Sequence, residues 1–197
     1  GIIAPMAETA FASNKFLNAI DTFVPKDNQK DIEFAINIET ITAYHNIDEI
    51  LNLEKIKLLS SITVGRVDFT GSLGADRNFA NSDQMLKYCT EIFQKAKDKG
   101  LKTTLGGAIS TESISFIEKL ISKNLIDKFE TRKLVYNKNA IENLQKENSK
   151  FLKVLTSIKK HHLKVNCYIV SEEAFSLLII PSFKIIIFFA NLITAGS

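Results

Sequence analysis

Two carboxylates stand directly after short apolar runs, one strand–helix unit apart. Glu39 follows Ile36-Asn37-Ile38 and Asp68 follows Val64-Gly65-Arg66-Val67. One acid at the end of a strand reads first as a helix cap or a surface charge. Two such acids on consecutive parallel strands share a rim and make a site of hard oxygen ligands. That donor set suits Mg²⁺ or Mn²⁺, which keep several waters and take one or two carboxylates plus oxygens from a substrate. With neither Cys nor His beside the two acids, zinc is the poorer fit. Gly65 and the Gly71-Ser72-Leu73-Gly74 stretch let backbone approach a ligand and offer N–H groups to an anionic oxygen. Gly106 and Gly107 read equally as a second place of ligand approach or as a tight strand-to-helix turn.

The elements that must position these residues follow from the periodicity. Apolar runs at 1–6, 32–38, 61–67, 101–105 and 128–135 have the length of buried parallel strands. Helical patterns lie between them at 10–22, 47–53, 82–99 and 111–124. The third helix has Ser82 before its first turn and Gly100 after its last, a good cap at each end. Alternating strands and helices predict a parallel sheet, either open and doubly wound or part of a closed barrel. Acids and glycines stand after nearly every strand: Glu8, Glu39, Asp68, Gly106-Gly107, and Glu130 with Arg132. A (β/α)8 barrel brings all those ends to one mouth, whereas an open sheet gathers only two or three.

The chain has 197 residues, 25 Lys+Arg against 22 Asp+Glu, and 45% hydrophobic residues. That composition excludes a disordered or fibrous class and needs only one core. Cys89 and Cys167 are far apart with no signal-peptide pattern, which points to reduced thiols and a cytoplasmic protein. A net charge of +3 spread among acids does not make a nucleic-acid protein. The short basic cluster 159–164 reads as a solvated helix end. Beyond residue 137 the character changes. Residues 138–165 read as an amphipathic helix and 166–197 as an apolar C-terminal segment. Residues 174–195 match the length of a bilayer span, but Pro181 and Lys184 interrupt them, so a buried strand or helix pair is preferred over a membrane span or an atypical end.

The strings Ala4-Pro5-Met6-Ala7-Glu8-Thr9, Asn37-Ile38-Glu39-Thr40, Gly65-Arg66-Val67-Asp68-Phe69-Thr70-Gly71-Ser72-Leu73-Gly74, Gly106-Gly107 and Phe129-Glu130-Thr131-Arg132-Lys133 resemble the HpcH/HpaI aldolase and citrate lyase family in order and spacing. The resemblance covers residues 1–137. It implies a (β/α)8 TIM-barrel type of fold, incomplete at the N-terminus because relatives begin with further strand–helix units. It also implies Mg²⁺ or Mn²⁺ on Glu39 and Asp68, and the making or breaking of a carbon–carbon bond in a 2-oxo acid or acyl-CoA substrate. A divalent ion chelated by such an acid stabilises the enolate. Arg66 and Arg132 are the candidates to clamp the substrate carboxylate, or else they belong to a structural ion network. Glu8 is either an acid orienting metal-bound water or a helix-start acid. His45 reads as a surface loop residue, with general base the alternative.

The expected function is therefore a metal-dependent carbon–carbon lyase. Its catalytic groups are Arg66, Arg132 and Glu8, its metal ligands are Glu39 and Asp68, and Gly71, Ser72, Gly106 and Gly107 line the bound molecule. The rival is a catalytically silent barrel fragment or interaction subunit. Exposed sheet edges favour a homo-oligomer.

Overall fold

The computed structural model describes residues 1–131, 134–141 and 168–170. Its elements are β1 (Ile2–Ala4), α1 (Ala10–Phe23), β2 (Phe34–Ile38), α2 (Ile41–His45), α3 (Ile47–Leu51), β3 (Ser61–Gly65), α4 (Arg66–Ser72), α5 (Asp83–Asp98), β4 (Lys102–Gly106), α6 (Ile114–Ser122), β5 (Lys128–Glu130), β6 (Leu134–Asn137) and β7 (Tyr168–Val170). Helices α1, α3, α5 and α6 stand where capping and periodicity place them. Thr9 Oγ1 accepts from the N–H of Ala12 at the start of α1, which turns Leu17 and Ile20 inward. Ser82 Oγ accepts from Met85 N–H, and α5 buries Met85, Cys89, Ile92, Phe93 and Ala96 along one stripe. At its end the Gly100 N–H reaches Lys97 O and the Leu101 N–H reaches Ala96 O, the pair of bonds that a left-handed Gly100 at φ +78° makes possible.

The seven strands lie side by side in chain order, and β1 to β5 are parallel. Register sorts the residues into rows. Ile38, Val64, Leu105 and Phe129 are aligned and nearly fully buried, facing the helices. One step back, Asn37, Thr63, Thr104 and Lys128 form a row on the opposite, polar face. This is the strand–helix repeat of the (β/α)8 type, left open among the described residues with β1 and β7 at the two edges.

Three local expectations change. The run expected as one strand over 128–135 is a hairpin: β5 and β6 pair antiparallel, Phe129 opposite Tyr136 with their rings stacked. In the sequence, polar Thr131, Arg132 and Lys133 separate the two apolar stretches. The third strand ends at Gly65, not Val67, because Arg66 already begins α4. Residues 41–45 form a helix that the apolar pattern alone does not announce. The amphipathic helix expected at 138–165 falls largely outside the described residues, as does the apolar stretch 174–195. Among the described residues no helix is long and apolar enough to cross a membrane.

Candidate active site at the strand C-termini

Glu39 is the first residue after β2, and the buried Thr40 behind it caps α2 through a bond from Ala43 N–H to its hydroxyl. The strand and the cap fix the backbone on either side, so the Glu39 side chain has little freedom. The residue is only 7% exposed. The N–H of Met6 donates to Oε1 at 2.9 Å, and the Asn37 amide lies 3.5 Å from both oxygens. Met6 makes that bond from a left-handed backbone, φ +51°, which is uncommon for a residue with a side chain. Burial pushes Glu39 above the ordinary carboxylate range and the charge of Asp68 adds to the rise, against the lowering by Met6 and Asn37.

The next register row explains how this carboxylate has room. Continuing the alignment by one residue gives Glu39, Gly65, Gly106 and Glu130, of which Gly65 and Gly106 are paired directly. A Cβ on Gly65 would lie 2.6 Å from Glu39 Oε2, and one on Gly106 would lie 3.1 Å from Glu130 Oε1. Each glutamate therefore leans over the glycine of the neighbouring strand, and the two side chains approach each other over the paired Gly65 and Gly106. Burial first, and the charge of Glu39 second, raise Glu130 as well. Sequence reasoning noted Glu130 only as one acid among several. The row is set by register, which single-sequence patterns do not contain.

Asp68 sits in the first turn of α4 and is exposed. The charge of Asp68 is felt at Glu39, so the two lie in one region of the rim. Among the described residues no three His, Cys, Asp or Glu groups converge closely enough to hold an ion as a closed cage. Two carboxylates with open positions are the donor set of Mg²⁺ or Mn²⁺ that keeps waters and takes substrate oxygens, and Glu39 is buried without a cationic partner among the described residues. The residues present fit such an ion.

The other expected site residues have different duties. Arg66 is fully buried, and each of its five N–H donors has a protein acceptor. Nε reaches Gly106 O, Nη1 reaches Ala80 O and Asn81 Oδ1, and Nη2 reaches Gly107 O and Ser113 Oγ. Its guanidinium also lies 4.7 Å from the centre of the Phe116 ring. Burial lowers its pKa to about 10, so it stays charged at neutral pH. With no donor left, Arg66 does not clamp a substrate carboxylate. It pairs with neither Asp68 nor Glu130; its partners are loop oxygens.

Gly107 has φ +76°, and a Cβ there would meet Val67 N at 2.7 Å and Arg66 N at 2.8 Å. The space is filled by the start of α4, so this glycine serves the turn and not a ligand. Gly106 likewise gives its space to Glu130. The Gly71–Gly74 stretch is no anion cradle: it is the last turn of α4, where the N–H groups of Leu73, Gly74 and Ala75 bond back to Phe69, Gly71 and Thr70. Ser72 Oγ accepts from Ile41 N–H and donates to Phe69 O, tying α4 to the start of α2. Glu8 directly precedes the α1 cap, and its carbonyl accepts from Asn46 Nδ2. His45 is exposed at the far end of α2, its ring against Tyr44. Arg132 lies outside the described residues.

In three dimensions the chain is similar to the crystal structure of citrate synthase SbnG, with a TM-score of 0.55 and 16% identity over 82% of this chain and 64% of that one. It is also similar to an HpcH/HpaI aldolase from Desulfitobacterium hafniense DCB-2, with a TM-score of 0.51 and 13% identity over 79% of this chain and 63% of that one. The chain spans a little under two thirds of the length of both. A scan against protein-family models and a search of curated proteins return no match.

Proposed function

We propose that this chain, which carries the fold of the HpcH/HpaI aldolases and of citrate synthase SbnG, is a metal-dependent carbon–carbon lyase acting on a 2-oxo acid or an acyl-CoA-type carboxylate. The observation that carries the reading is the buried Glu39 carboxylate, which among the described residues has no cationic partner and lies over Gly65, where the charge of Asp68 reaches it. A bound Mg²⁺ or Mn²⁺ would supply positive charge to the oxygens of the substrate as the bond between carbons breaks.

Glu39 and Asp68 are the residues that would hold that ion. Met6 N–H and Asn37 orient the Glu39 carboxylate before anything binds, which lowers the reorganisation cost of the charged site. Gly65 and Gly106 leave the space in which the Glu39 and Glu130 carboxylates themselves lie. Arg66 fixes the loops after β4 and before α6 so that the rim keeps its shape. Unpaired edges at β1 and β7 among the described residues support association between copies.

Calorimetry of Mg²⁺ and Mn²⁺ binding tests the ligand set. Affinity should fall by at least about tenfold, roughly the 1.4 kcal/mol of one lost charged contact, in both Glu39→Gln and Asp68→Asn. Unchanged affinity in the two variants would remove the proposal. Pyruvate release from 4-hydroxy-2-oxo acids with added Mn²⁺ tests the chemistry, and metal binding without any such turnover would favour a silent barrel subunit.

A further inference from the structure

At the opposite end of the strands from Glu39 and Asp68, a cleft of about 440 Å³ opens where β2 begins and the chain turns into β3. Small-molecule sites occupy roughly 300–1,000 Å³, so the volume admits one small organic ligand. The buried Phe34 and Leu59 and the half-buried Leu58 give it an apolar wall. That wall is fixed from behind. The Ser60 N–H donates to Phe34 O at 2.8 Å and ties the two strand starts together, while the Gln29 amide donates to Val24 O at 2.8 Å and Ile20 O at 3.4 Å. Three ammonium groups line the same cleft, and no Asp or Glu stands among its described lining residues. Lys26 is spent on Asp21, which also holds Lys55 at 2.7 Å. Lys30 and Lys57 are exposed, come from the separate turns Asn28–Lys30 and Ile56–Leu58, and pair with no acid among the described residues.

We propose that this cleft is a second binding site, which takes a phosphate monoester with an apolar organic group. Two uncommitted cations match a group that carries about 1.5 to 2 negative charges at neutral pH, whereas a carboxylate would answer only one of them. An ammonium is a point charge that meets a phosphate oxygen from any direction, so Lys30 and Lys57 need no fork geometry to share the group. The Ser60 hydroxyl, which makes no bond among the described residues, adds a neutral donor on the same lining. Phe34, Leu58 and Leu59 offer nothing to a bare inorganic ion; they gain only from a ligand that brings apolar surface to cover them. The site lies at the far end of the strands from the carboxylates of the mouth and stands independently of the lyase reading.

Calorimetry at low salt on the full chain, without added metal, tests the site with three probes: phenyl phosphate, inorganic phosphate and benzoate. Phenyl phosphate should bind at least about tenfold more tightly than either of the others, because it alone joins the dianion to an apolar ring. Lys30→Gln and Lys57→Gln should each weaken it by about threefold, the size of an exposed charge contact, and the double variant by about tenfold. Both lysines are exposed, so these variants leave the core intact. Leu58→Ala should weaken phenyl phosphate and leave inorganic phosphate unchanged. Lys123→Gln, an exposed lysine just beyond α6, should change nothing. Raising the salt should weaken binding in the unmutated protein more than in the double variant. Absence of phenyl phosphate binding, or affinity that survives loss of both lysines, overturns the site. Equal affinity for benzoate overturns the phosphate assignment, and equal affinity for inorganic phosphate overturns the role of the apolar wall.

Discussion

A carboxylate held where ionisation is costly needs room, and at Glu39 that room is the missing side chain of Gly65. Alanine there would place a methyl 2.6 Å from Glu39 Oε2 and 3.0 Å from its Cβ, closer than carbon and oxygen tolerate. The glutamate cannot simply swing away, because Met6 N–H and the Thr40 cap hold both sides of it. Gly65→Ala should therefore cost about 1–3 kcal/mol of stability, the usual range for an overpacked site. It should also weaken divalent binding by displacing the carboxylate. Thermal denaturation and calorimetry on the same variant check both, and retained affinity would show that the glycine serves packing alone. Gly71 makes a control: a Cβ there meets nothing within 4 Å, and Gly71→Ala should leave the ion's affinity as it was.

At the scale of elements, Arg66 does for the loops what strand pairing does for the sheet. It starts α4, and its guanidinium gathers the turn after β4, the segment around Ala80 and Asn81, and Ser113 before α6. Replacing it by methionine leaves Gly107 O and Ala80 O without donors in the interior, at a cost of about 3–5 kcal/mol. Lysine has three donors on one point and cannot span the fork, so Arg66→Lys should recover only part of that loss in urea denaturation. A drop of less than about 1 kcal/mol in Arg66→Met, the size of a single ordinary hydrogen bond, would show the loops to be held by other contacts. The resemblance makes Arg66 a candidate substrate clamp; its burial is decided by the immediate turn from Gly65 into α4, which the apolar run through Val67 conceals. The strands at 34–38 and 102–106 and the helices at 10–23 and 83–98 are legible, since apolar alternation and Ser or Thr caps are local signals. The Glu39–Gly65–Gly106–Glu130 row is not, because it depends on how four distant strands align. The β5–β6 hairpin is missed for a related reason: two short apolar runs separated by three polar residues look like one strand until pairing partners are known.

For the molecule as a whole, the ionisable groups divide by height along the strands, and the division predicts how stability depends on pH. At the C-terminal ends, burial raises Glu39 and Glu130 above their ordinary 4.5. A raised carboxyl contributes stability that is complete below 4.5 and is lost as pH climbs through the raised value. Asp127, just before β5, behaves in the opposite sense. Burial pushes it upward, but Lys97 at 2.5 Å and the N–H and hydroxyl of Thr103 at 2.8 and 3.2 Å hold it below its ordinary 3.8. Exposed Asp21, between Lys26 and Lys55, is lowered to about 2. A lowered carboxyl contributes stability that is present above 3.8 and is lost as pH falls through the lowered value. The two groups act in opposite senses, the rim glutamates giving a decline toward neutral pH and Asp127 with Asp21 another into acid. Urea midpoints from acid to neutral pH should show both limbs in the unmutated protein. Glu39→Gln should flatten the neutral limb and Asp127→Asn the acid limb, while saturating Mg²⁺ should lift the neutral limb only when Glu39 is present, because an ion on that carboxylate compensates the charge that burial disfavours. A profile that stays level from 4.5 to neutral would mean that the mouth accommodates its carboxylates without cost, and the electrostatic reason for an ion at Glu39 would go with it.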